Sequence, residues 1–194
     1  MFIVTADQRD SQTGADLVPA GIATVERAAA DGLALPPERT AGDEIQAAIT
    51  SAASALAVIL ALTRAETWSV GLGVGDVEAP LPREVRAARG AAFVRARDAV
   101  DRAKKAPSRI AISGEGAGDA EALVRLLVEL RDRRTDEGWE VHDLLVGGIT
   151  QREAAERIGI SEGAVSRRVS TAALRTEEAA VPALTRILEA LDPD

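Results

Sequence analysis

Residues 150–169 read TQREAAERIGISEGAVSRRV and leave the backbone few options. Thr150 can accept a hydrogen bond from the first turn of a helix, and Glu153, three residues on, completes a capping box. Ala154, Ala155 and Ile158 then recur at helical spacing as one apolar face. Gly159 sits where that face ends, and glycine tolerates the left-handed backbone of a helix stop. Ser161 caps a second helix. There Ala164, Val165 and Val169 face inward, and Glu162, Gly163, Ser166, Arg167 and Arg168 face out. The small Ala155 lets the two helices cross closely. Two short helices joined by a glycine turn make a helix-turn-helix.

In such a motif the second helix enters the DNA major groove. Glu162, Gly163, Ser166 and Arg167 are expected near bases, with Ser161 at the cap and Arg168 on backbone or base. Gln151 and Arg152, opening the first helix, are expected on phosphate. Small, polar and basic residues on the outer face favour this reading over an ordinary helical hairpin. The formal charge of the whole chain is −8. Over 161–175, however, three arginines face one acid, a local +2. A modest basic patch on an acidic body implies salt-sensitive, selective binding of double-stranded DNA. The Ala155, Gly159, Val165 spacing resembles the repressor type of helix-turn-helix. The wording is similar to the last DNA-binding region of sigma factors.

The chain of 194 residues is long enough for one large or two small domains. Its 46% hydrophobic content, poor in aromatics, predicts a globular protein with an aliphatic core. It holds no cysteine, which excludes disulfides, thiolate zinc sites and cysteine nucleophiles. The start MFIVTADQRD lacks the pattern of a signal peptide. The longest apolar stretch, Ala52–Leu62, is too short to span a bilayer. These features predict a cytoplasmic protein with no membrane partner.

Periodicity predicts strands at Phe2–Ala6, Leu33–Thr40, Glu44–Ile49, Trp68–Val77 and Arg109–Ser113. Pro36 and Pro37 weaken the start of the second. Helices are predicted at Ala15–Ala30, Ser51–Thr63 and Ala91–Lys105, with Glu78–Arg89 as a loop. The order β-α-β-β-α-β-α-β predicts an α+β sandwich of ferredoxin-like plan with its helices on one face. Gly71, Gly73 and Gly75 imply close approach of a backbone or a ligand. Gly114–Gly118 reads as a linker. After it come helices at Asp119–Arg134, with a stripe of Leu123, Leu126, Leu127 and Leu130, then Glu137–Leu145, Thr150–Ser170 and Glu177–Leu191. The expected domains are thus 1–113, a linker at 114–118, and an all-α helix-turn-helix domain at 119–194.

Asp7 and Asp43 fall at the ends of strands that lie side by side in such a sheet. Two carboxylates there can share a magnesium ion and place it on a nucleotide triphosphate, or they can be ordinary turn residues. Gln8-Arg9-Asp10-Ser11 can supply phosphate contacts. No cofactor is certain from the sequence. TADQRDS at 5–11, RTAGDEIQAA at 39–48, GLGVGDV at 71–77 and RGAAFVRARDAVDRAK at 89–104 resemble the SatD family and, more distantly, class III nucleotide cyclases. The resemblance runs over about residues 2–113. It implies a cyclase-like fold, with Asp7 and Asp43 at the metal positions and Arg39 where a base-recognising lysine often stands. It also implies an asparagine and an arginine on the helix after the fourth strand, where this chain has Val94 and Asp98. Those groups hold the ribose and stabilise charge on the transferring phosphate. Without them the resemblance implies a pocket with no cyclase activity.

Three readings follow: a transcriptional regulator with a sensing or dimerisation domain and no enzyme activity, a nucleotidyl cyclase or related nucleotide-dependent enzyme, and a helical partner-docking module. A homodimer is expected because two-fold pairs match palindromic sites. The sheet domain is its expected interface, with Leu184, Ile187, Leu188 and Leu191 contributing. His142 reads as a structural or solvent-facing residue, and Trp68 and Trp139 read as packing residues rather than base-stacking platforms. Arg131, Arg133 and Arg134 are expected to cap helix carbonyls, sit in solvent or contact phosphate.

Overall fold

The computed structural model describes residues 1–11 and 14–192. Its contacts divide it into two compact units, Met1–Val128 with Pro182–Asp194, and Glu129–Val181. The first unit holds a five-stranded sheet and the second is helical.

The strands are β1 (Phe2–Gln8), β2 (Leu33–Ala41), β3 (Glu44–Ile49), β4 (Trp68–Val74) and β5 (Ile110–Ser113). They lie in the order β2-β3-β1-β4-β5, antiparallel except for the parallel β4–β5 pair. The order of strands and helices is the one expected from sequence. β2 is an edge strand, and its ladder is irregular between Leu35 and Glu38. Pro36 and Pro37 fall in that gap, where no ladder hydrogen bond is forfeited. β1 runs on to Gln8, beyond the predicted end at Ala6, because the Gln8 amide donates to the Asp43 carbonyl at 3.1 Å.

Helices α1 (Val18–Ala29), α2 (Ala52–Arg64) and α3 (Ala91–Ala103) do not share one face of the sheet, contrary to expectation. A Cβ on Gly21 of α1 would meet Ile45 and Trp68. Ile45 pairs with Ala6, so α1 covers the Ala6 face. α2 packs beside α1. A Cβ on Gly73 would lie 2.1 Å from the Ala92 carbonyl oxygen and 2.3 Å from the Ala96 nitrogen of α3. Gly73 pairs with Ile3 and Gly71 with Thr5, so α3 covers the opposite face. The strand glycines therefore serve a backbone: without a Cβ, the helix settles directly on the sheet. Ile3, Ala48, Phe93 and Ala96 form the core on that side.

α4 (Gly118–Asp132) begins at the end of the predicted linker. Its N-terminal half belongs to the sheet unit. Glu121 accepts from the Ile112 amide at 2.7 Å and from Arg102 at 2.8 Å, and Arg125 donates to the Ile110 carbonyl at 3.0 Å. Polar anchors of this kind leave no local trace in an apolar pattern, so the division of the chain falls later than the glycine run suggests. The leucine stripe also splits. Val124, Leu127 and Val128 are buried, whereas Leu123 and Leu126 are exposed. The last helix, α8 (Leu174–Glu189), starts earlier than Glu177. Leu184 and Leu188 of this helix are buried. No helix among the described residues is long and apolar enough to cross a membrane.

Candidate nucleic-acid interface

The helical unit is built around α5 (Asp136–Val146), α6 (Gln151–Ile158) and α7 (Glu162–Thr171). Val141 of α5, Ala154 and Ala155 of α6, and Val165 and Val169 of α7 form its core. All are small or β-branched, so the helix axes come close. The capping box at Thr150 is complete. The Glu153 amide donates to Thr150 Oγ1 at 3.2 Å, and the Thr150 amide donates to Glu153 Oε2 at 2.7 Å. Gly159 adopts φ 77° and ψ 33°, the left-handed stop, and the amides of Gly159 and Ile160 both donate to the Ala155 carbonyl. Ser161 caps α7 by accepting from the Ala164 amide at 3.2 Å. The helix-turn-helix read from sequence is thus present.

Ser161 at the cap and Glu162, Gly163, Ser166 and Arg167 on α7 are exposed. Ala164 is half-buried rather than fully inward. Arg167 makes no ion pair among the described residues. Arg168 is less open, because its guanidinium pairs with Glu140 of α5 at 2.8 Å. Gln151 is half-buried at the start of α6, and Arg152 is exposed and pairs with Glu156 at 3.4 Å.

The arginines at the end of α4 divide. Arg133 is exposed. Arg131 and Arg134 are buried and grip one carboxylate, Glu177. Arg134 Nη2 stands 2.6 Å from Glu177 Oε2, and its Nε donates to the Ala172 carbonyl that ends α7. Both guanidiniums lie against the Trp139 ring, at 4.9 and 4.3 Å from its centroid. Burial works against the Glu177 carboxylate, yet the two arginines outweigh it and hold its pKa below the usual value. The charge-rich run RDRR gave no sign that two of its arginines turn inward, because their partner lies far along the chain. His142 stands edge-on to Trp139 at 5.0 Å, and burial lowers its pKa.

In the sheet unit, Asp7 and Asp43 line one cleft of about 450 Å³ with Gln8, Arg9, Asp10, Ser11 and Lys104. Lys104 Nζ, at the end of α3, lies 2.8 Å from Asp7 Oδ2. Partial burial disfavours the Lys104 ammonium, but Asp7, Asp101 and Glu44 outweigh it and raise its pKa. The Ser11 hydroxyl donates to Asp43 Oδ2. Among the described residues no three acidic, histidine or cysteine side chains converge on a metal position. Asp7, Asp10 and Asp43 line the cleft without converging on one point, and Lys104 already pairs with Asp7, which does not fit a resident magnesium ion. Arg39 does not join this cleft. It pairs with Asp16 at 2.5 Å and donates to the Gly42 carbonyl. That contact, chiefly, lowers the Asp16 pKa. Val94 is 63% exposed, while neighbouring Arg95 turns to the Val74 carbonyl and Arg97 to Glu44.

Among curated proteins none matches the chain. A solved structure, the regulator of polyketide synthase expression from Bifidobacterium adolescentis, aligns over 96% of this chain and 78% of its own, at 17% identity and a TM-score of 0.33. Residues 147–172, which span α6, α7 and their caps, match a family model described as winged helix-turn-helix DNA-binding.

Proposed function

We propose that this chain is a sequence-specific DNA-binding transcriptional regulator. The observation that carries the proposal is the capped helix-turn-helix at 150–171, with Glu162, Gly163, Ser166 and Arg167 exposed on its second helix. The family match over the same residues supports it. The sheet unit, in this reading, is a non-catalytic sensing or dimerisation domain of cyclase-like descent, and the protein works as a homodimer on a two-fold site.

The experiment is selection of duplexes from a random-sequence library by the full-length protein, followed by binding titrations. An enriched sequence is expected. Arg167→Ala should weaken binding to it by about 1–3 kcal/mol and relax preference at one position, as loss of a bidentate guanine contact would. No enrichment, with no duplex bound at low salt, overturns the proposal.

The cleft at Asp7 and Asp43 favours a second reading, a nucleotide-binding domain. A magnesium–nucleotide complex would enter it only by displacing Lys104 from Asp7. Val94 and Asp98 offer no group to stabilise a transferring phosphate, so this reading is binding without turnover.

A further inference from the structure

Among the described residues no β-hairpin follows α7. The last strand described ends at Ser113, and the segment after α7 becomes α8. A groove of about 460 Å³ runs beside α7, on the flank facing the first turn of α5. It exists because α5 and α7 cross closely at Gly138, where a Cβ would stand 3.0 Å from that of Ala172 and 2.8 Å from Arg134 Cγ.

Its walls are basic. Arg133 comes from just before α5, and Arg167 and Arg168 come from α7. Glu137 is the one acid lining it, and Glu140 pairs with Arg168, so among the described residues Arg133 and Arg167 are the lining cations without an ion pair. Thr135 caps α5 at the groove, accepting from the Gly138 amide at 3.3 Å. The partial positive charge of that helix N-terminus, offset in part by Asp136 and Glu137 in its first turn, adds to the Arg133 and Arg167 guanidiniums. Ala164, Arg167, Arg168 and Thr171 line the groove at spacings of three and four, one stripe of α7. Glu162, Gly163, Ser166 and Arg167 form the adjoining stripe, and Arg167 belongs to both.

We propose that this groove seats a backbone phosphate of the duplex whose major groove receives α7, with Arg133 as its phosphate ligand. The inference rests on the DNA-binding reading above. Arg133 holds the strand and carries no sequence information, whereas Arg167 stands at the border between phosphate and base.

The test uses the full-length protein with two probes, the duplex enriched by selection and a random-sequence duplex, titrated over a range of potassium chloride. Each phosphate neutralised contributes about −0.9 to the slope of log K against log salt. Arg133→Ala should flatten the slope by about 1. It should weaken both duplexes by the same factor and leave the enriched sequence unchanged. Arg133→Lys should restore most of the slope. Arg133 is exposed, and an unchanged Trp139 fluorescence spectrum in a Trp68→Phe background checks that the unit stays folded. Three results overturn the proposal: an unaltered slope and affinity in Arg133→Ala, a changed sequence preference at constant slope, or no recovery with lysine. If wild type binds neither probe, the regulator reading fails and takes the groove with it. If wild type binds and Arg133→Ala behaves identically, only the groove fails.

Discussion

Replacing Glu177 by alanine is expected to melt the helical unit well before the sheet unit. Glu177 is 8% exposed, and its carboxylate is the shared partner of Arg131 and Arg134, themselves each 7% exposed. Removing one partner of a buried ion pair costs about 3–5 kcal/mol, because the opposite charge stays buried and uncompensated. Here two charges are stranded, which argues for the upper end. Two contacts argue for the lower end: both guanidiniums rest on Trp139, and Arg134 keeps the Ala172 carbonyl. A cation over an aromatic face retains roughly 0.5–2 kcal/mol. The net expectation is a loss of about 3 kcal/mol, which for a small domain lowers the melting temperature by more than 10 °C. Trp139 fluorescence in a Trp68→Phe background reports the unit directly, since the chain has two tryptophans. The pH dependence follows from the same contact. The Glu177 pKa is depressed in the folded state. Its contribution is therefore fully present above the unfolded value of about 4.5 and is lost as pH falls through the folded pKa. Wild type should lose the stabilisation in that acid range, and Glu177→Ala should have none of it to lose. A cost under about 1 kcal/mol, or identical acid titrations of wild type and variant, would refute the reasoning.

The remaining expectations are simpler. Gly73→Val places side-chain atoms against the α3 backbone, where even a Cβ would come within 2.1 Å. It should destabilise the sheet unit by about 3 kcal/mol or more, and an unchanged urea midpoint would refute the packing argument. Lys104→Ala removes a cation 2.8 Å from Asp7. Unit charges about 4 Å apart interact by roughly 1–4 kcal/mol near a protein surface. Titration calorimetry should therefore show magnesium or manganese bound about tenfold more tightly than by wild type, and equal affinities would refute the competition.

The sequence by itself determined the helix-turn-helix, because everything that defines it is local. Thr150 and Glu153, Gly159, and Ser161 each act on a backbone group within a few residues, and the apolar faces repeat with the period of the helix. The order of strands and helices along the chain was legible for the same reason, whereas the approach of Asp7 and Asp43, 36 residues apart, was expected only through the sheet plan. Tertiary structure decided what depends on partners far along the chain. Gly71 and Gly73 announced a close approach, but only packing made the visitor α3 and put it on the face opposite α1 and α2. Lys104 lies 97 residues from Asp7, yet it supplies the charge that the carboxylate pair had suggested for a metal. Arg131 and Arg134 look like surface charge in the sequence and are buried on Glu177, 46 and 43 residues away. A buried charge requires a compensating one, and composition and periodicity hold no record of which distant residue provides it.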